Sequence, residues 1–213
     1  MYNYILFDLD GTLTDPGRGI TNSVAYALEK FGVSVSDKKE LYKLIGPPLT
    51  DSFEKYYGFS KEDALIAVEY YREYFKPKGI YENEIYSGVP ELLKSLKESG
   101  KTVILATSKP EIFAIEILKY FGIDEYFDFV AGATLDKSRT KKGDVIAYAL
   151  NSCNITDKSD CLMVGDREQD IKGAIANGID SLGVLYGYGD FEELSNAGAT
   201  YIAKTVDEII KYV

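Results

Sequence analysis

The chain has 213 residues, 46% of them hydrophobic, enough for one sizeable core or for a core with a smaller insert. Its formal net charge of −10 argues against nucleic acid or an anionic membrane surface as partner, because phosphates would be repelled. It contains no histidine, which removes Ser-His-Asp and Cys-His catalysis, histidine phosphatases and His-ligated zinc, and leaves acid–base work to Asp, Glu, Lys, Tyr or Cys. No apolar run approaches a membrane span, and Met1–Tyr4 lacks the basic region of a signal peptide. Cys153 and Cys161 are too few for a disulfide scaffold, which fits a reducing, cytoplasmic setting.

The first element is a short buried strand, Tyr4–Phe7, followed by Asp8-Leu9-Asp10-Gly11-Thr12. Side chains alternate along a strand, so Asp8 and Asp10 are expected to point the same way. Two adjacent carboxylates need an intervening cation or a proton, and Mg²⁺ is the usual oxygen-liganded solution. Apolar residues with helical spacing then run from Ile20 to Phe31. Further helical segments are expected around Lys38–Leu44, Leu49–Tyr57 and Ser60–Phe75, the last capped by Ser60 and Asp63. The stretch 16–86 therefore reads as an all-helical insert, and Tyr70–Tyr74 and Tyr71–Phe75 are spaced to stack within it.

From Ser87 strands and helices alternate. Helices are expected at Val89–Leu96, Pro110–Phe121, Lys142–Leu150 and Asp170–Ala176, and a last one at Thr205–Tyr212 capped by Thr205 and Glu208. Strands are expected at Thr102–Ala106, Phe127–Ala131, Leu162–Val164, Ser181–Leu185 and Thr200–Ile202. Wholly apolar strands separated by helices imply a parallel sheet covered on both faces, an α/β fold. In such sheets the ligand crevice lies at the carboxyl ends of the strands.

Those ends carry Asp8, Asp10, Gly11 and Thr12; then Thr107, Ser108 and Lys109; then Gly165, Asp166, Arg167 and Asp170. The basic pair Lys141-Lys142 precedes the intervening helix. Each type has a task if the ligand is a phosphate ester. A carboxylate can attack phosphorus, a cation offsets the repulsion between two anions, and hydroxyl and backbone N–H groups hold phosphoryl oxygens. A lysine adds positive charge, and a second carboxylate can protonate the leaving oxygen and then activate water.

In this order and spacing, Asp8-Leu9-Asp10-Gly11-Thr12, Thr107, Lys142 and Gly165–Asp170 resemble the four motifs of the haloacid dehalogenase superfamily. The insert resembles the helical cap of its subgroup containing phosphoglycolate phosphatases and related small phosphatases. The resemblance implies a Rossmann-like catalytic core, 1–15 with 87–213, and a helical cap, 16–86. It implies a Mg²⁺-dependent phosphatase of a small phosphorylated metabolite, phosphoglycolate phosphatase-like or 5'-nucleotidase-like, working through an aspartyl phosphate. Asp8 would be nucleophile and metal ligand, and Asp10 the acid/base, with its backbone carbonyl on the metal. Thr107 and Lys142 would complete the catalytic set, and Asp166 and Asp170 the metal site. Gly11, Thr12, Ser108 and Lys109 are substrate-binding candidates, as are Arg18 and Lys43 in the insert.

Alternatives stand beside these readings. Relatives usually carry Lys-Pro at the lysine motif, so Lys141 competes with Lys142. A sugar phosphomutase uses the same aspartyl phosphate, and a phospho-accepting signalling domain places similar groups at a parallel sheet's end. Cys161-Leu162-Met163-Val164-Gly165-Asp166-Arg167 matches the Cys-x₅-Arg spacing of cysteine phosphatases, but its apolar interior and Asp166 suit a strand better than a phosphate cradle. Asp170 could be only a helix-end carboxylate. The insert's aromatic residues could pack its interior or form a wall for a ring.

Overall fold

A computed structural model describes residues 2–136 and 138–213. Six strands form one parallel sheet: β1 (Tyr4–Phe7), β4 (Thr102–Pro110), β5 (Phe129–Ala133), β6 (Cys161–Gly165), β7 (Asp180–Val184) and β8 (Tyr201–Ala203). Two-residue strands β2 (Thr14–Asp15) and β3 (Glu84–Ile85) pair separately. The sheet order is β5-β4-β1-β6-β7-β8. From β1 the chain builds outward to β4 and β5, then returns to build β6, β7 and β8 on the other side. The reversal point, where α/β sheets open a crevice, is therefore β1 with its neighbours β4 and β6.

Register then fixes what meets there. Phe7 aligns with Leu105 on one side and with Val164 on the other. The next residues are Asp8, Ala106-Thr107 and Gly165-Asp166, so three distant segments end at one level. Asp8 extends this frame by donating its N–H to Val164 O at 2.9 Å.

Both faces of the central strands are covered. Leu6, Ile104, Ala106 and Met163 pack with Val145, Ile146 and Ala149 of α6 (Lys142–Ser152) and Ala174 of α7 (Glu168–Asn177). The alternate residues Ile5, Phe7, Val103, Leu105 and Val164 are also fully buried. Near-continuous apolar strands are what two covered faces require. Helices α4 (Val89–Glu98), α5 (Glu111–Phe121) and α8 (Phe191–Ala197) complete this unit, which comprises the chain up to Thr14 with Ile85–Val213.

Asp15–Glu84 form a second compact unit of helices, inserted in sequence after the first strand. It holds α1 (Gly17–Lys30), α2 (Leu49–Tyr57), α3 (Lys61–Phe75) and 3₁₀ turns at Lys38–Leu44 and Gly79–Tyr81. Ser60 caps α3 by accepting from Asp63 N at 3.0 Å. Gly19 of α1 lies against Gly79 O so closely that no side chain could fit, which lets the helix meet the turn backbone to backbone. Tyr71 stacks on Phe75 at 5.1 Å, as spacing predicts. Tyr70 instead lies edge-on to Phe31, and Tyr74 tilts against Tyr26. Burial of Phe53, Tyr71 and Phe75 makes these three interior packing, not an open wall.

Several expectations are corrected. Strand β5 begins two residues later than the apolar run suggests, because Asp128 ties down Val103 N with its carboxylate. Pro110 closes β4 and precedes α5 instead of opening it. The last helix is a short 3₁₀ segment, Val206–Lys211. Thr205 makes no side-chain cap there, and Glu208 takes the N–H of Lys204. Helix α8 was not anticipated: its seven residues carry only one buried side chain, Leu194, too few to show a period. Among the described residues no helix is long and apolar enough to cross a membrane.

Candidate active site

Asp8 sits at the end of the central strand, with its Oδ1 held by Leu9 N at 2.8 Å and by Lys142 Nζ at 2.7 Å. Lys142 opens α6, its stem buried against Gly173 of α7. Its ammonium also lies 2.8 Å from Asp170 Oδ1 and donates to Ala106 O at 3.0 Å. Lys141, the competing lysine, is exposed. Asp170 has two tasks. Its Oδ2 accepts from Arg167 N at 3.0 Å and so caps α7, the role of a helix-end carboxylate. Its Oδ1 is buried beside Lys142 but takes no hydrogen bond of good geometry.

Asp166 follows β6. Thr12 Oγ1 donates to its Oδ1 at 3.3 Å, and Tyr188 N to its Oδ2 at 2.8 Å. The loop after β1 reaches it only because Gly11 has φ +83° and no side chain; a methyl there would collide with the Asp166 carboxylate. Thr12, expected to hold phosphoryl oxygens, is completely buried and directs its hydroxyl to Asp166, so it supports that carboxylate instead. Asp10 turns toward β4 and pairs with Lys109 Nζ at 2.5 Å. Lys109, expected at the substrate, is thus spent on the acid/base candidate. Thr107 is buried and accepts from Lys109 N at 3.2 Å, while Ser108 is half-buried. Arg18 and Lys43 lie exposed in the helical unit, Lys43 above the Tyr56 ring at 4.7 Å.

Four buried carboxylates (Asp8, Asp10, Asp166, Asp170) face two buried ammonium groups (Lys109, Lys142), which leaves two negative charges in a desolvated space. Protonation tracks that imbalance. Burial pushes Asp166 well above the ordinary carboxylate range, with Asp170 and Asp8 adding. Burial pushes Asp170 up to about 6 against the opposing pull of Lys142. Asp10 is raised by burial while Lys109 resists. Burial works against the charge on Lys142, but Asp170 and Asp8 outweigh it and raise its pKa.

The residues present fit a divalent cation. Carboxylate oxygens of Asp8, Asp166 and Asp170 come within 4.8 Å of one another, all buried, and a 2+ charge matches the deficit. An all-oxygen donor set in a chain without histidine suits a hard ion such as Mg²⁺. Asp10 stands outside this group of carboxylates. Cys161 lies fully buried in β6, its thiol pushed up to about 11 by burial, the behaviour of an inert strand residue.

The haloacid dehalogenase-like hydrolase family model matches residues 5–184, which include the four buried carboxylates, Lys109, Lys142 and Thr107. The chain belongs to that family. A 5'-nucleotidase of Pseudomonas aeruginosa is 47% identical over 193 residues, 91% of this chain and 87% of that protein. A tyrosine-protein kinase, PtkA, of Mycobacterium tuberculosis is 38% identical over 208 residues, 96% of this chain and 70% of its own. The crystal structure of a predicted phosphatase from Clostridium acetobutylicum superposes with a TM-score of 0.97 at 51% identity, covering 100% of this chain and 98% of its own.

Sequence reasoning missed one part of the site. Tyr186-Gly187-Tyr188-Gly189, after β7, presses on Gly11, Thr12 and Asp166. The signal was available, two glycines flanking one residue just past a strand's carboxyl end, but β7 is one strand removed from the three that carry the charged groups.

Proposed function

We propose that this family member is a Mg²⁺-dependent phosphatase that hydrolyses a small phosphorylated metabolite through an aspartyl phosphate, an acyl phosphate formed on Asp8. The single observation that carries the reading is the anchored Asp8 carboxylate, paired with Lys142 and clustered with the Asp166 and Asp170 carboxylates at the sheet's reversal point. A bound Mg²⁺, held by Asp8, Asp166 and Asp170, would supply charge compensation for the incoming phosphoryl group.

The chain's own groups do the rest. Leu9 N and Lys142 restrict rotation of the Asp8 carboxylate, so it meets phosphorus in a fixed orientation. An Asp8 oxygen forms a bond to phosphorus as the ester bond to the leaving alcohol breaks. Asp10 gives that alcohol its proton; burial favours the protonated form it needs, and Lys109 holds it in place. Asp10 then takes a proton from water, whose oxygen attacks phosphorus and releases Asp8 and inorganic phosphate. Thr107 contributes a buried hydroxyl beside the path of the phosphoryl group. The 1–15 with 87–213 segment acts as the catalytic core, and 16–86 as the cap that selects the substrate. The 47% identical 5'-nucleotidase makes nucleoside monophosphates the first substrates to try.

The test is phosphate release from a panel of nucleoside monophosphates, phosphoglycolate, sugar phosphates and pyrophosphate with Mg²⁺. Asp8→Asn is expected to abolish turnover and keep the fold, and an active Asp8→Asn protein sinks the reading. The relative named a tyrosine kinase favours a second reading, transfer of the same phosphoryl group to a hydroxyl instead of water. Label from a phosphate donor appearing on protein tyrosine, with little free phosphate, would select it.

A further inference from the structure

The turn after β7 takes no part in the proposed chemistry, yet it is packed tightly against Asp166. A methyl on Gly187 would lie 2.6 Å from Asp166 Oδ2 and would also run into Gly11 O and Asp166 Cβ. A methyl on Gly189 would collide with Asp166 O. Contacts below 3.0 Å are ones that real Cβ atoms do not make, so both positions need glycine for space alone. Between them, Tyr188 brings its N–H to Asp166 Oδ2. Tyr186 completes the other side: its hydroxyl donates to Thr12 O at 2.9 Å, and Thr12 in turn donates to Asp166 Oδ1. Farther along, Glu193 Oε1 accepts from Arg167 Nε at 2.8 Å and from Glu168 N at 2.9 Å. Asp190 holds Glu193 by accepting its N–H at 2.8 Å.

We propose that the segment Tyr186–Glu193 is a clamp that orients the Asp166 carboxylate for cation binding, with Gly187 and Glu193 as positioning residues. The proposal rests on the reading of Asp166 as a cation ligand. Each oxygen of Asp166 has one donor, which fixes the carboxylate while it offers an oxygen to the cluster with Asp8 and Asp170. Without the clamp the carboxylate could turn about its Cβ–Cγ bond and lose that aim. Groups that orient a metal ligand by hydrogen bonds set the affinity for the metal, so their loss is read in binding without substrate.

The experiment is a titration of metal-free protein with MgCl₂, followed by calorimetry and by melting temperature, without substrate. The proteins are wild type, Asp166→Asn, Gly187→Ala, Glu193→Ala, Glu193→Gln and Gly88→Ala. Gly88, at φ +88°, lies near Val206 and Asp207, so its alanine variant is strained but remote from the clamp. Gly187→Ala and Glu193→Ala should weaken Mg²⁺ binding roughly tenfold or more. Glu193→Gln keeps the accepting Oε1 and should restore affinity. Gly88→Ala should melt lower yet bind Mg²⁺ as wild type does. Wild-type affinity in Gly187→Ala and Glu193→Ala, with binding lost in Asp166→Asn, overturns the clamp and leaves the site reading standing. Wild-type affinity in Asp166→Asn overturns the site reading and the clamp with it. If Gly187→Ala does not fold, the Glu193 pair decides, and a Glu193→Ala protein that binds normally overturns the clamp.

Discussion

Replacing Lys142 by methionine keeps the buried stem and removes one of two ammonium groups that face four buried carboxylates. Lys142 lies 2.7 Å from Asp8 and 2.8 Å from Asp170, and each pair carries about 6 kcal/mol of direct attraction at an effective dielectric near 20. Most of that is offset by the cost of burying the ammonium, so the expected loss is about 3–5 kcal/mol for the stranded carboxylates. The carbonyl of Ala106 loses its donor as well, at about 1 kcal/mol. The pH dependence follows from two signs. The raised pKa of Lys142 makes its contribution complete below its ordinary 10.5, so the loss is felt across the whole neutral range. Of the stranded carboxylates, Asp170 has a folded pKa raised by burial above its unfolded one, so it destabilises above that folded pKa and ceases to do so as it takes up a proton, at about 1.4 kcal/mol per pH unit. Urea unfolding of both proteins in EDTA should show the Lys142→Met deficit at pH 7 shrinking toward pH 5, and Mg²⁺ should recover part of it at pH 7. A deficit under about 1 kcal/mol at pH 7, or one larger at pH 5 than at pH 7, refutes this charge balance. Turnover should fall by about 10²–10³ even at saturating Mg²⁺.

Wild-type protein in EDTA should itself be more stable at pH 5 than at pH 7 by about 1 kcal/mol, because protonation of Asp170, raised from 3.8 to about 6, relieves about 1.4 kcal/mol per pH unit below its folded pKa; urea midpoints at the two pH values, with Mg²⁺ removing the difference, check it. Cys161→Ser should retain nearly all activity, and the Cys161 thiol should resist iodoacetamide at pH 8, being buried and titrating at about 11; a dead, folded Cys161→Ser enzyme contradicts the carboxylate mechanism. Ser60→Ala removes the acceptor for Asp63 N and should cost about 1 kcal/mol in the helical unit, read by urea unfolding, with the Mg²⁺ affinity unchanged.

Local chemistry made much of this protein legible. Short apolar runs such as Tyr4–Phe7 and Leu162–Val164 read as strands buried on both faces, and the groups after them sit where parallel sheets open. Helix starts written in short-range chemistry, Ser60 with Asp63 above all, were equally readable. Where a segment lacked a period, as in α8, local reasoning had nothing to count; the final helix was placed, but not its 3₁₀ winding.

By itself the sequence determined the fold class, the helical insert and the set of carboxylates, because these depend on residue type and on spacing along the chain. Only the tertiary structure decided how the groups share their partners. Lys142, and not the adjacent Lys141, lies between Asp8 and Asp170 because α6 begins where one side chain faces inward and the other faces solvent. Lys109 is joined to Asp10, and Thr12 to Asp166, across 99 and 154 residues of sequence. The Tyr186–Glu193 clamp depends on Gly187 lying against Gly11, two residues whose meeting is set by sheet order, which leaves no mark on either segment alone.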